Sequence, residues 1–186
     1  MLLTTLMLIL VLALGVWAIL IFNKLVGLRQ MANNGWADIE VQLKRRADLI
    51  PQIVKTVKAY AAHERRLFED VIDARNRALS AGDDIGARGT AEGAVARGAS
   101  RLFALAEDYP ELKANENFLD LQNELSETED KIEMARRFYN GAVRELNTKI
   151  ETVPSNLIAG PFGFRQKPYF EIDESDAVVP TVEFDA

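Results

Sequence analysis

The chain has no cysteine. That excludes a disulfide framework, a thiolate nucleophile and any Cys-based metal site, and it fits a reducing compartment. Histidine occurs once, at His63, so the commonest metal-ligand and base pairings lack a second imidazole. Glu64 cannot orient His63 on a helix, because adjacent helical positions do not face each other; His63 reads as a surface or helix-end residue. No glutamate is followed three residues later by a histidine, which removes the di-iron bundle signature. Gly89, Gly93 and Gly98 form neither GxGxxG nor a Gly-Lys-Ser/Thr turn after a strand, and they suit close helix packing instead. With no nucleophile and base that can be placed together, the sequence predicts no catalysis, no cofactor and no metal.

Charge is absent from one end and one-signed at the other. The segment 171–186 carries Glu171, Asp173, Glu174, Asp176, Glu183 and Asp185 with no Lys or Arg, so it accounts for the whole net charge of −6. The balanced remainder argues against nucleic acid as a partner, since duplex binding needs clustered basic groups that displace counterions. Lacking helical or strand period and carrying like charges, 171–186 is expected to be an acidic mobile tail.

Met1 to Phe22 contains no charged side chain and is dominated by Leu, Ile, Val, Met and Ala. At 1.5 Å per residue those positions span about 33 Å, enough for a hydrocarbon core of about 30 Å. The missing basic n-region and the long apolar run favour an uncleaved anchor over a signal peptide. Lys24 and Arg29 follow the run directly, and then Lys44, Arg45 and Arg46, while nothing basic precedes it. The positive-inside rule then predicts an N-terminus outside and a cytoplasmic domain.

Beyond the anchor, steps of three and four recur. One column reads Trp36, Leu43, Ile50, Val57; another reads Leu25, Ala32, Ile39, Ile53, Tyr60, interrupted by Arg46. This is a heptad-like helical seam. Asn33, Asn34 and Gly35 are weak helix formers and are expected to loosen it; Pro51 is expected to kink or break it between Asp48 and Pro51. The pattern resumes at Leu67, Val71, Ala74 and Ala78 and stops in the loop composition 81–84. A helix over Thr90–Asp108 and a long one from Asn115 to Pro154 follow, with no strand-like alternation. The expected fold is all-α: an N-terminal transmembrane helix (1–22), an antiparallel bundle of three or four long helices (23–153), an aromatic and basic segment (154–170) and the acidic tail (171–186). The helix count depends on whether the chain turns near His63.

The stretch VQLKRRADLIPQIVKTVKAYAAHE (Val41 to Glu64) and the stretch ANENFLDLQNELSETEDKIEMARRFYNGAVRELNTKIETVPSNLIAG (Ala114 to Gly160) resemble the two signature blocks of the LemA family. Combinations such as RRADLIP and PSNLIAG are specific, and the resemblance covers about residues 1 to 170. It implies a single-pass protein of the bacterial inner membrane with a helical bundle, similar to proteins of the magnetosome membrane. No reaction or catalytic residue comes with it. It also implies a TPM-domain membrane protein or a membrane zinc metalloprotease as partner.

Two groups of residues stand out as candidate sites. Arg45, Arg46 and Asp48, with Glu129, Asp130 and Arg136, suit an interhelical ion network, whose sharpest form pairs Arg46 with Glu129 or a neighbouring carboxylate, or else a binding site for an anionic group or a partner helix. Phe162, Phe164, Arg165, Lys167, Tyr169 and Phe170 interleave aromatic with basic side chains, which suits a bilayer interface, a subunit contact or packing over one bundle end. The functional expectation is a self-associating scaffold, a homo-oligomer in the lipid bilayer; the rival is an adaptor for a membrane protease or other envelope protein.

Overall fold

The computed structural model of the chain describes residues 1–82 and 84–172; Asp83 and residues 173–186, most of the segment expected to be a mobile tail, lie outside the described residues. Among the described residues the helices are, in order, α1 (Leu2–Lys58), α2 (Arg65–Ser80), α3 (Ile85–Ala106), α4 (Pro110–Lys113), α5 (Glu116–Glu151) and α6 (Asn156–Ala159). Among the described residues there is no strand. A turn at residues 59–64 separates α1 from α2, with His63 exposed in it, so the long helices number four. Two compact units emerge, one built on Met1–Lys44 with Thr128–Phe170 and the other on Arg45–Glu127. Helices α1 and α5 contribute to both.

Over 57 residues α1 reaches about 86 Å. Its strongest apolar stretch has a mean hydropathy of 2.8, is long enough to cross a membrane, and is buried nowhere by the rest of the protein. From Leu25 the pattern changes: Leu25, Leu28, Ala32, Ile39 and Leu43 are buried on one face. The helix runs unbroken through Asn33–Gly35, contrary to the expected loosening. Gly35 has another use there, since a Cβ at that position would lie 3.0 Å from Phe138 Cδ1 and 3.1 Å from Tyr139 Cα. A side chain at this position would require α5 to give by a few tenths of an ångström.

In the first unit, Leu25 and Leu28 pack with Leu146, Ala159 and Phe164, and the Trp36 ring lies 5.7 Å from that of Tyr139. Rising numbers on α1 against falling numbers on α5 make the pair antiparallel. The second unit shows the same sense, as Arg45 meets Glu124 and Tyr60 meets Asn115. There Ile50, Ile53 and Val57 of α1 share a core with Phe68 and Val71 of α2, Val95 and Leu102 of α3, Leu112 of α4, and Phe118 and Leu125 of α5. Each fully buried side chain of this size contributes about 1.5–3 kcal/mol. Gly98 explains one α2–α3 approach: a Cβ there would fall 2.9 Å from Val71 Cγ2. Loop ends are capped locally, by Asp84 accepting from the Gly86 and Ala87 amides at 3.0 Å each and by Asn115 accepting from the Phe118 amide at 3.1 Å.

Pro51 does not end α1, which continues to Lys58. A helical proline removes the amide that would bond the carbonyl four residues earlier, here Ala47. The Arg75 Nε of α2 donates to that same Ala47 oxygen at 2.5 Å. A donor from a neighbouring helix thus supplies what the proline withholds. Arg75→Ala should therefore lower stability by about 1–3 kcal/mol, the cost of a buried unsatisfied acceptor. In a Pro51→Ala background, where the backbone regains its amide, the same substitution should cost clearly less in chemical denaturation of the detergent-solubilised chain. Equal losses in both backgrounds would contradict the account.

Candidate functional site

Arg46 interrupts the apolar column of α1 and is fully buried. Its Nη2 lies 2.5 Å from Glu92 Oε2 and 3.3 Å from the Glu92 backbone oxygen. The other oxygen of that carboxylate, Oε1, accepts from Arg88 Nε at 2.8 Å, one turn earlier on α3. Glu92 is 3% exposed. A buried carboxylate is tolerable only when paired and hydrogen-bonded, and both its oxygens are engaged by guanidinium groups. Such an arrangement ties α1 to α3.

Glu92 was absent from the candidate network. It is the sole acidic residue of α3, between Gly89 and Gly93, both buried. A lone carboxylate inside a helix of small residues is the signal that could have found it, because it needs a cation from a neighbour. Arg45 instead meets Glu124 at 2.9 Å, a half-exposed pair, while the Asp48 side chain is exposed. Glu129 and Arg136 are partly buried and Asp130 is exposed, all three on the α5 portion that belongs to the first unit.

After the turn at 161–163, the segment 164–170 has no regular secondary structure and is held on α5 by side chains the sequence reading passed over. Asn140 donates to the Phe170 carbonyl at 3.0 Å and accepts from the Phe170 amide at 2.9 Å. Asn147 does the same with Lys167, at 2.9 Å both ways. Seven helical residues advance about 10.5 Å and three extended residues about 10 Å, so the two clamps are in register. Between them the Tyr139 hydroxyl donates to the Pro168 carbonyl at 2.8 Å, and burial pushes its pKa up to about 12.

These contacts divide the aromatic and basic candidates. Phe164 and Phe170 are buried, at 6% and 0% exposure, so neither presents an interface. Phe164 packs on Leu25 and Leu28 under the Arg29 guanidinium, 5.0 Å from its ring centre, and Phe170 meets the Trp36 ring edge-on at 5.3 Å. Phe162, Arg165 and Tyr169 face outward and Lys167 is half-buried. The Phe162 ring stands 5.1 Å from that of Phe22, so the segment returns to the end of the apolar run. Among the described residues no group of three His, Cys, Asp or Glu side chains is placed to hold a metal ion.

The LemA family profile matches residues 35–184. The chain belongs to the LemA family. The match begins after the apolar run and reaches into the acidic segment, so it is displaced from the 1 to 170 expected. Magnetosome proteins MamQ 1 and MamQ 2 of Paramagnetospirillum magneticum are each 26% identical to it over 175 residues, covering 81% of this chain and 64% of theirs. Magnetosome protein MamQ of Magnetospirillum gryphiswaldense is 24% identical over 174 residues, covering 80% and 64%. This LemA-family chain therefore spans less than two thirds of the length of these curated relatives.

Two outcomes follow from the geometry. Glu92→Leu removes the buried carboxylate that two guanidinium groups share and should cost about 3–5 kcal/mol, against about 1 kcal/mol or less for Arg45→Ala at its half-exposed pair, both read by denaturant titration. Comparable losses at the two positions would refute the assignment. Tyr139 ionises near pH 10 when unfolded and about 12 when folded, so its contribution is intact below pH 10 and is lost as pH rises from about 10 to 12. The melting temperature of Tyr139→Phe should fall less steeply than that of the parent across that interval.

Proposed function

We propose that this LemA-family protein is a single-pass, membrane-anchored helical scaffold that self-associates in the bacterial inner membrane, with its N-terminus outside, its helical units cytoplasmic and no catalytic role. The observation that carries this reading is the change of pattern along α1. Outward apolar side chains surround it in the first 20 residues, and one-sided burial begins at Leu25. A helix of the first kind requires hydrocarbon around it, and one of the second requires protein on a single face. The family and the magnetosome proteins MamQ among its relatives support a membrane setting. The basic Lys24 and Arg29 after the run support the orientation.

Self-association is supported by apolar side chains left outside the first unit: Met134 is 60% exposed, and Phe138, one turn along α5, is 48% exposed. Side chains of this kind, repeated on one face, suit a second copy of the chain. The adaptor reading rests on the acidic 171–186, whose charge of −6 suits a basic face on another envelope protein such as a TPM-domain protein or a membrane zinc metalloprotease. Subunit counting by single-molecule photobleaching in nanodiscs discriminates. The scaffold reading expects several copies per particle, reduced by Met134→Glu with Phe138→Glu. Strictly single copies at all concentrations would contradict it. Capture of a different envelope protein that is lost on deleting 171–186 would favour the adaptor.

A further inference from the structure

From Thr152 to Phe164 there are thirteen consecutive residues without a charged side chain, bounded by Glu151 and Arg165. They hold the single-turn helix α6 and a glycine at φ 71, Gly163, which folds the loop back on itself. Part of this loop is core: Ala159 and Phe164 are buried against Leu25, Leu28 and Leu146, with Ile158 packed beside them. The rest is apolar and uncovered. Val153 is 77% exposed, Leu157 66% and Phe162 61%. Three large apolar side chains on one short loop are not explained by the packing of the first unit, whose own core is already closed by Phe164 and Ala159.

Position decides what covers them. Phe22 stands two residues before Lys24, the first charged residue of α1, and both Phe162 and Phe164 meet its ring edge-on, at 5.1 Å and 5.7 Å. The exposed loop is therefore level with the last turn of the apolar helix and continuous with it. The flanking cations are Lys24 and Arg29 on α1, Lys149 near the end of α5, and Arg165 after the loop. An apolar insert flanked by these four cations and by the carboxylate of Glu151, at the end of a spanning helix, has the chemistry of a segment lying in the bilayer interface, with its side chains among the acyl chains and its charged groups at the headgroups.

We propose that residues 152–164 form a second membrane contact, inserting Val153, Leu157 and Phe162 into the leaflet where the apolar run of α1 ends. The contact fixes the rotation and tilt of α1, because a single helix can rotate about its axis whereas a helix with a lateral insert cannot. The inference rests on the reading that residues 1–22 cross the bilayer, and its partner is the lipid itself.

The absence of native cysteine makes the test direct. Single cysteines replace Val153, Leu157 or Phe162 in the full chain, with Leu12→Cys in the apolar run and Arg137→Cys on exposed α5 as references. Each carries a nitroxide and is reconstituted in phosphatidylcholine–phosphatidylglycerol vesicles. All five positions face outward, so labelling leaves the core intact. The expected result is an oxygen-to-nickel-chelate accessibility ratio at 153, 157 and 162 that follows Leu12 and exceeds Arg137 several-fold. If the three follow Arg137 while Leu12 stays in lipid, the second contact is overturned and the anchor stands. If Leu12 also proves aqueous, the anchor reading fails and this proposal with it. Protection from both reagents, with spin–spin broadening between labels, would mean that a second copy covers the loop, which also overturns it.

Discussion

Helix α1 has to suit two surroundings with a single hydrogen-bond ladder. Through its first 20 residues the apolar side chains point outward on every side, where only hydrocarbon removes them from water without another protein surface. From Leu25 onward the same ladder presents one apolar face and leaves the other polar. Nothing interrupts the backbone between the two regimes. The rest of the first unit follows from this continuity. The first residues able to bury a side chain against α5 are those just past Phe22, and Leu146, Ala159 and Phe164 meet them there.

Polar groups inside the helices are held by partners from neighbouring elements. Arg46 and Glu92 place charge where an apolar residue would pack, and the two guanidinium contacts on Glu92 satisfy its carboxylate. Pairs of this sort contribute little net stability and are costly to break, so they select one packing over its rivals. Pro51 and Arg75 form a similar compensated exception, in which a missing amide on one helix is replaced by a side chain from the next. Asn140 and Asn147 use both the nitrogen and the oxygen of their amides to seat an irregular segment of chain on a helix, an arrangement that needs no apolar repeat.

That difference in physical origin separates what was legible in the sequence from what was not. Period is additive over many residues, so the all-helical character, the end of α2 at Ser80, the start of α5 after Asn115 and the inward columns through Ile39, Leu43 and Ile50 could all be read from spacing. Compensation is pairwise and distant. Pro51 pointed to a break because the residue that repairs it lies in another helix, and Gly35 pointed to a loose joint because the approach of Phe138 and Tyr139 is not encoded locally. Glu92 and the two asparagines are single polar residues with no repeat to announce them. In 161–170 the absence of any alternation hid which aromatics turn inward, and Phe164 and Phe170 were grouped with Phe162 although only the last is exposed.

The central claim is that the apolar anchor and the first core of this LemA-family protein are one rigid helix. Amide hydrogen exchange of the full chain in lipid nanodiscs, resolved across residues 23–44, tests it most directly. The account predicts continuous protection through Asn33, Asn34 and Gly35, comparable with that at Leu28 and Ile39 on either side. Rapid exchange confined to those three residues would show a joint between membrane helix and core, and would contradict it.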